Sequence, residues 1–342
     1  MENYPATGYK PGPWQLGQDE ETVTDTFSLH NAMDDDDDVG GDTARGSIFL
    51  NDITKVDCAL FDASKGVVGQ TWLVDVALGG PLGPNGFVFD FSLLKKMVRE
   101  VLKGTLDHAL LIPINSQAVH FKDAPRGECW RLKSRVTRSG EDCEWEYKSP
   151  TGSVFPSRCI AISRQTLEQE FSRSLRHRLP QEISQIVVAL REEDVDPTEA
   201  TFRYTHGIAG HAGMCQRLLH GHRSRIQIMV GEERRPDLEH YVARDVLGGN
   251  VHIATPSQFK SGHVEPGTRG KTKSPVTLGY EASQGSFELT LPADRVFCVS
   301  RETSIECIAN EIAALIKREE NTSDRVRVTC FEGIDKGAIA EV

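Results

Sequence analysis

Four of the eleven histidines of this 342-residue chain lie between His206 and His222, in the stretch FRYTHGIAGHAGMCQRLLHGHR. His220 and His222 flank one glycine just ahead of Arg225–Val230 (RIQIMV), which reads as a strand. Residues two apart on a strand point to the same side, so both imidazoles can meet one ion. His206 closes the short apolar segment Phe202–Thr205 and can add a third nitrogen from a paired strand. Three neutral imidazoles with an open fourth position describe a catalytic zinc site rather than a closed structural one. A histidine pair flanking one residue is common by itself, and it is the third histidine and the nearby Cys215 that lift the pattern above background. Cys215 offers a fourth ligand, or a base and nucleophile activated by a neighbouring cation. A lone cysteine is more often a small core residue, but this one sits in a Gly-rich polar loop. His211 has no assigned partner and reads as a loop residue.

These side chains need strands and helices to hold them. Thr71–Leu78 (TWLVDVAL) alternates as a strand does, and Gly79–Gly86 (GGPLGPNG) reads as a turn. Phe91–Lys103 has apolar residues at helical spacing, with Ser92 as the expected N-cap. Cys129–Val136 and Cys143–Tyr147 predict a hairpin around Ser139-Gly140. Gln165–Leu179 follows as a helix and Ile183–Leu190 as a strand. Beyond the strand at Arg225–Val230, Asp237–Leu247 reads as a helix, and Val276–Tyr280 with Ser286–Leu291 as a hairpin. Ser304–Lys317 is then a helix and Arg325–Cys330 the closing strand.

The order of elements repeats, and so do residues. MVREVLKGTLDH, ending at His108, parallels YVARDVLGGNVH, ending at His252. TLEQEF from Thr166 parallels SIECIA from Ser304, and IVVALRE (186–192) parallels VRVTCFE (326–332). Self-similarity in three places and in one order predicts a tandem duplication joined near residues 193–200.

Composition bounds the function. The net charge of −11 belongs to one end: residues 1–45 carry 11 acidic and 2 basic residues, including Asp34 to Asp38 in a row, against 39 and 37 in the remainder. Such a leader repels itself and buries nothing, so it is expected to be disordered. The near-neutral remainder lacks the basic stripe that a nucleic-acid backbone favours. No apolar run approaches the roughly 20 residues a membrane helix needs, and the N-terminus has no signal-peptide core. The expectation is a cytoplasmic protein without membrane or nucleic-acid partners, its eight scattered cysteines reduced thiols.

Taken together, these residues resemble the 6-pyruvoyltetrahydropterin synthase and 6-carboxytetrahydropterin synthase family. The family pattern is an aromatic-led strand ending in His, a Cys loop, and HGH opening the next strand. It continues with a Leu-Asp-His, a Thr-x-Glu helix start and a final strand ending in Glu. Nearly all of residues 47–342 can be read as two copies. The second holds FRYTH at 202–206, Cys215, HGH at 220–222 and the terminal FE at 331–332. The resemblance implies that His206, His220 and His222 bind Zn2+, that Cys215 is the catalytic thiol, and that Glu332 anchors the pterin ring. Glu306, in the Thr-x-Glu position of the second copy, is a further substrate-binding candidate. The copies diverge in opposite directions. In the first, Val68–Gln70 (VGQ) replaces HGH and Asp57 replaces the first His, while Leu106-Asp107-His108 stays intact. In the second, the metal pattern is complete but Val251 precedes His252 where Asp is expected.

Within the family the Asp-His pair reaches the zinc site from a neighbouring subunit. The fusion is therefore expected to split one site, with Asp107 and His108 serving Cys215 and the metal; His252 is the other catalytic candidate. The implied fold is α+β: two tandem T-fold (tunnelling fold) units of ββααββ type, forming an antiparallel barrel on oligomerisation. Domain expectations are a leader over 1–45, a first unit over 46–195 that has lost its metal site, and a second over 196–342 that holds zinc. The implied activity is a zinc-dependent lyase converting 7,8-dihydroneopterin triphosphate to 6-carboxytetrahydropterin, on the queuosine and deazapurine route. The alternatives are a 6-pyruvoyl product on the tetrahydrobiopterin route, or a non-catalytic pterin-binding protein. A homo-oligomer is expected, with a trimer of tandem chains equivalent to the family's hexamer of single units.

Overall fold

The computed structural model describes residues 44–124, 127–136 and 141–342. All but the last two residues of the predicted leader fall outside these, as does the predicted Ser139-Gly140 turn. The chain divides into two compact units that interleave along the sequence. One takes residues up to 55, 72–104 and 163–192; the other takes 56–71, 105–162 and 193–342. These units do not coincide with 46–195 and 196–342, because the long strands β1 (Arg45–Asp62) and β2 (Gly66–Pro81) run through both.

In the first unit, β2 pairs antiparallel with β8 (Gln185–Arg191), from Leu73↔Arg191 to Gly79↔Gln185. Gly79 and Gly80 therefore lie in a strand, and the turn expected from Gly79 begins only after Pro81. Two helices complete this unit. α1 (Phe91–Lys103) buries Leu94, Val98, Val101 and Leu102, which return every three or four residues to one face. Its N-cap is Asp90 rather than Ser92, since the Asp90 carboxylate accepts from the Leu93 N–H at 2.8 Å. α2 (Arg164–Arg176) starts on a Ser163/Thr166 capping box and buries Leu167, Phe171 and Leu175. It ends three residues before the predicted Leu179.

The second unit holds the remaining strands. β3 (Leu110–Pro113) pairs parallel with β1 at Ala59↔Leu110, and β7 (Val154–Ser157) pairs parallel with β3. A six-stranded sheet has the order β13-β15-β16-β6-β5-β4. Its strands are β4 (Val119–Ala124), β5 (Gly127–Val136), β6 (Glu141–Ser149), β13 (Phe259–Ser261), β15 (Pro275–Ala282) and β16 (Gly285–Pro292). Both predicted hairpins are here, joined edge to edge through Leu289↔Tyr147.

A further sheet runs β14-β17-β12-β9-β10-β18-β19, with the two-residue β11 (Glu233–Arg234) on β10. It comprises β9 (Thr201–His206), β10 (His220–Val230), β12 (Val251–Ala254), β14 (Thr268–Arg269), β17 (Val296–Cys298), β18 (Val326–Phe331) and β19 (Gly337–Glu341). α3 (Pro236–Tyr241) and α4 (Ile305–Glu319) belong to the same unit. The predicted helix over 237–247 is α-helical only to Tyr241 and continues as a π turn over Val242–Val246. α4 buries Ile305, Ile308, Ala309, Ile312, Ala313 and Ile316 in one cluster with Phe202, Tyr204, Ile226, Ile228, Val326 and Val328. That packing backs the strands that carry the histidines. Among the described residues no helix is long and apolar enough to cross a membrane.

Candidate metal centre

The histidines sit on two paired strands. β9 and β10 run antiparallel with His206 opposite His220 and Tyr204 opposite His222. Positions 204, 206, 220 and 222 therefore share one face of the sheet, and Tyr204 and all three histidines are buried. β10 begins at His220, five residues earlier than the apolar run alone indicates.

Each imidazole has an acceptor at its Nδ1. His206 Nδ1 lies 2.8 Å from the Thr303 carbonyl oxygen and His220 Nδ1 2.8 Å from that of Arg217. His222 Nδ1 lies 3.1 Å from Asp57 Oδ1. The two carbonyl acceptors assign the Nδ1 proton of His206 and His220, and the carboxylate beside His222 Nδ1 favours the same tautomer, which leaves three Nε2 lone pairs. His206 Nε2 and His222 Nε2 face each other at 3.1 Å, and His220 Nε2 is buried without a hydrogen-bond partner. Facing lone pairs repel unless a cation or proton lies between them. Burial holds His206 and His220 well below the ordinary imidazole range, an effect strengthened by the positive charge of neighbouring histidines. Buried, and with one ring nitrogen each within 4.8 Å of the others, the three histidines fit a metal ion of borderline softness such as zinc.

A second group meets the first at His220: His108, Cys215 and His220 also bring one ligand atom each within 4.8 Å of one another. The His108 ring centroid is 5.0 Å from that of His220. His108 Nδ1 lies 2.9 Å from Asp107 Oδ1, and the thiol of Cys215 lies close to the ring. Burial opposes its charge, but these two partners push His108 up to about 10. The backbone of His108 has φ +55°, a left-handed conformation unusual outside glycine. It is held by the His108 N–H donating to the Asp57 carbonyl at 2.6 Å and by the Asp57 N–H donating to Asp107 Oδ1 at 3.3 Å.

The loop carrying Cys215 is pinned at both ends. Ile208 N–H donates to the Cys215 carbonyl at 2.9 Å, and Tyr280 Oη–H donates to the Gln216 carbonyl at 2.7 Å. Gln216 Oε1 accepts from Ser283 and Gln284 in the β15–β16 turn. Arg217 then donates to the His108 carbonyl at 3.3 Å.

Residues 62–151 match the family profile of 6-pyruvoyl tetrahydropterin synthase. The likeness to this family is carried by that segment. The matched segment is the one with VGQ in place of HGH, and it contains Asp107 and His108. Among solved structures, the chain is similar to 6-pyruvoyltetrahydropterin synthase of Plasmodium vivax (19% identity, TM-score 0.33) and to that of Plasmodium falciparum (18%, 0.33). Each likeness covers 43% of this chain and 98% of the other. No curated protein matches the chain.

The remaining residues expected from the synthase pattern fall as follows. Glu332, at the end of β18, has Oε1 4.0 Å from His222 Nε2 and Oε2 3.2 Å from Lys336 Nζ. His252 is buried on β12 with Nδ1 3.0 Å from Thr205 Oγ1, and burial lowers it to about 3. Among the described residues it joins neither group of potential ligands. Glu306 is exposed in the first turn of α4, and no hydrogen bond or ion pair among the described residues ties it to the histidines. His211 is a loop residue whose Nδ1 accepts from Gly213 N–H at 2.9 Å. Sequence reasoning missed Thr303, Arg217 and Lys336. The carboxylate of Asp57 beside His222 was also missed, although a charge inside the apolar run VDCALF is an available signal.

Proposed function

We propose that the chain is a zinc-dependent lyase acting on 7,8-dihydroneopterin triphosphate, with one site built from both halves of the sequence. The observation that carries this reading is the convergence of three Nε2 atoms with the Asp107–His108 pair and Cys215. Zinc bound by His206, His220 and His222 would act as a Lewis acid on the side-chain hydroxyls of the substrate, acidifying the adjacent carbon. Cys215 and His108 are the proton carriers. Their proximity lets one take a proton from the side chain while the other returns one. Asp107 holds the His108 ring and supports its positive charge. Glu332 would receive the pterin ring, since a carboxylate accepts two parallel hydrogen bonds from a guanidine-like N–H pair.

The product is proposed to be 6-carboxytetrahydropterin, formed with loss of triphosphate and acetaldehyde. Purified protein incubated with 7,8-dihydroneopterin triphosphate should yield that mass, and a 6-pyruvoyl mass would overturn the product assignment. Absence of any turnover by zinc-loaded protein would overturn the lyase. Replacing Asp107 with Asn or His108 with Ala should lower turnover by about 10²–10⁴-fold without loss of zinc. Unchanged turnover in either variant would sink the shared site.

The tandem form, with T-fold units over 46–195 and 196–342, is supported by recurrence of the pairing pattern. β3 lies parallel to β1 as β12 lies parallel to β9, and β7 follows β3 as β17 follows β12. β8 pairs with β2 as β18 pairs with β10, each antiparallel and each following a helix. Association of chains into a closed barrel, as a trimer, is proposed with it. Exposed Phe49, Phe87, Phe91 and Leu93 supply apolar surface suited to an interface.

A further inference from the structure

Asp57 is a buried carboxylate, 5% exposed, whose neighbours include more than an ion-pair partner. Its Oδ1 lies 3.1 Å from His222 Nδ1 and accepts from Thr71 Oγ1–H at 2.7 Å. Its Oδ2 accepts from Lys336 Nζ at 3.1 Å. Gly333 passes close by with φ +68°, and a Cβ there would stand 2.7 Å from Oδ1. The Asp57 peptide N–H and C=O meanwhile bind Asp107 Oδ1 and the His108 N–H. One residue thus touches a histidine of the metal group through its side chain and the Asp–His pair through its backbone.

Burying a carboxylate is costly unless it is paired and hydrogen-bonded. Lys336 alone would meet that need at Oδ2. Oδ1, held by Thr71, instead lies beside the one ring nitrogen of His222 that a metal would not use. His206 and His220 rest on carbonyl oxygens, so His222 is the member of the trio with a charged acceptor. A carboxylate there fixes the tautomer and ring orientation and makes Nε2 a stronger donor to a metal.

We propose that Asp57 is a positioning residue: it holds His222 in its metal-binding tautomer and, through its backbone, sets Asp107–His108 against the same centre. The proposal rests on the zinc reading above and adds a role to the position where the first half has no ligand histidine. The rival account makes Asp57 only the structural counter-ion of Lys336.

Zinc affinity of the full chain, measured by competition with a chromogenic chelator, separates them. Asp57→Asn should weaken zinc binding by about 10–100-fold, while Lys336→Met, which breaks the same ion pair from the other side, should stay within about threefold of the parent. Parent-like affinity in Asp57→Asn, or equal weakening in both variants, overturns the proposal. A second measurement needs no variant. In 15N–1H spectra of the zinc-loaded parent, His222 should carry its proton on Nδ1, and a proton on Nε2 overturns the assignment. A parent that binds no zinc takes down the functional reading, and this role with it. A zinc-binding parent with an indifferent Asp57→Asn takes down the role alone.

Discussion

Cys215 differs from most of the other cysteines in what surrounds it. Cys58, Cys298 and Cys330 are buried thiols that burial pushes up, Cys298 to about 12, and Cys129 and Cys143 are buried as well. Only Cys159, Cys215 and Cys307 are partly exposed among the described residues, and Cys215 has the imidazole of His108 against it. Brief treatment with iodoacetamide near pH 7.5 should therefore modify Cys159, Cys215 and Cys307 and leave the five buried thiols unlabelled, because reactivity requires access to the reagent. Peptide mass mapping reads this directly, and early labelling of a buried thiol would contradict the packing described. At this scale the sequence was informative where spacing along a strand decides which way side chains face, as for His206, His220 and His222. It was silent on Asp57 and His222, whose meeting depends on how distant strands cross rather than on any local period. Glu306 shows the converse: a motif position can match while its side chain faces solvent.

Strand crossing is where the centre is most sensitive to added bulk. A Cβ on Gly69 would stand 2.0 Å from the Tyr204 carbonyl oxygen and 2.8 Å from the His222 nitrogen, both rigid backbone atoms. Gly69→Ala must push β2 away from the β9–β10 pair, at a cost of about 1–3 kcal/mol or more. It should lower both the melting temperature and zinc affinity. Gly210→Ala, where nothing lies within 4 Å of the added atom, should change stability by less than about 0.5 kcal/mol. Equal behaviour of the two variants would refute the close approach. On β5, burial raises the carboxyl of Glu128, with the Trp130 Nε1–H at 3.2 Å offsetting part of the shift. A carboxyl raised on folding binds protons better in the native state, so stability falls as pH rises from the unfolded value through the folded one. Glu128→Gln keeps an acceptor for Trp130 and should be more stable than the parent at neutral pH, with the gap closing on acidification. Urea midpoints across that range check the sign, and a gap that widens on acidification would reverse it. Elements with strong apolar periodicity were legible, α1 to the residue. The three- and four-residue parallel strands β3, β7, β12 and β17 were not, because so short a run carries no period. The π turn after α3 was also hidden, since its altered hydrogen bonding leaves no mark in composition.

For the whole molecule, the sequence and the pairing pattern point to one working centre rather than two. VGQ at 68–70 cannot ligate as HGH does: valine and glutamine offer no imidazole, and Gly69 lies against the backbone of β9 and β10 instead of bordering a separate cavity. Asp57, which stands at the first-histidine position of that half, is already shared among His222, Thr71 and Lys336. Self-similarity made the repeat legible, but not the interleaved units, because where two long strands pass from one compact unit to another is decided by tertiary contacts. Metal analysis of the purified chain should return one zinc per chain, falling to near zero in His206→Ala because two remaining imidazoles hold the ion far less well than three. His108→Ala should leave that stoichiometry at one, since its ring belongs to the proton-carrying group rather than the trio of Nε2 donors. Two ions per chain, or a His206→Ala protein that still carries one, would overturn the single metal site.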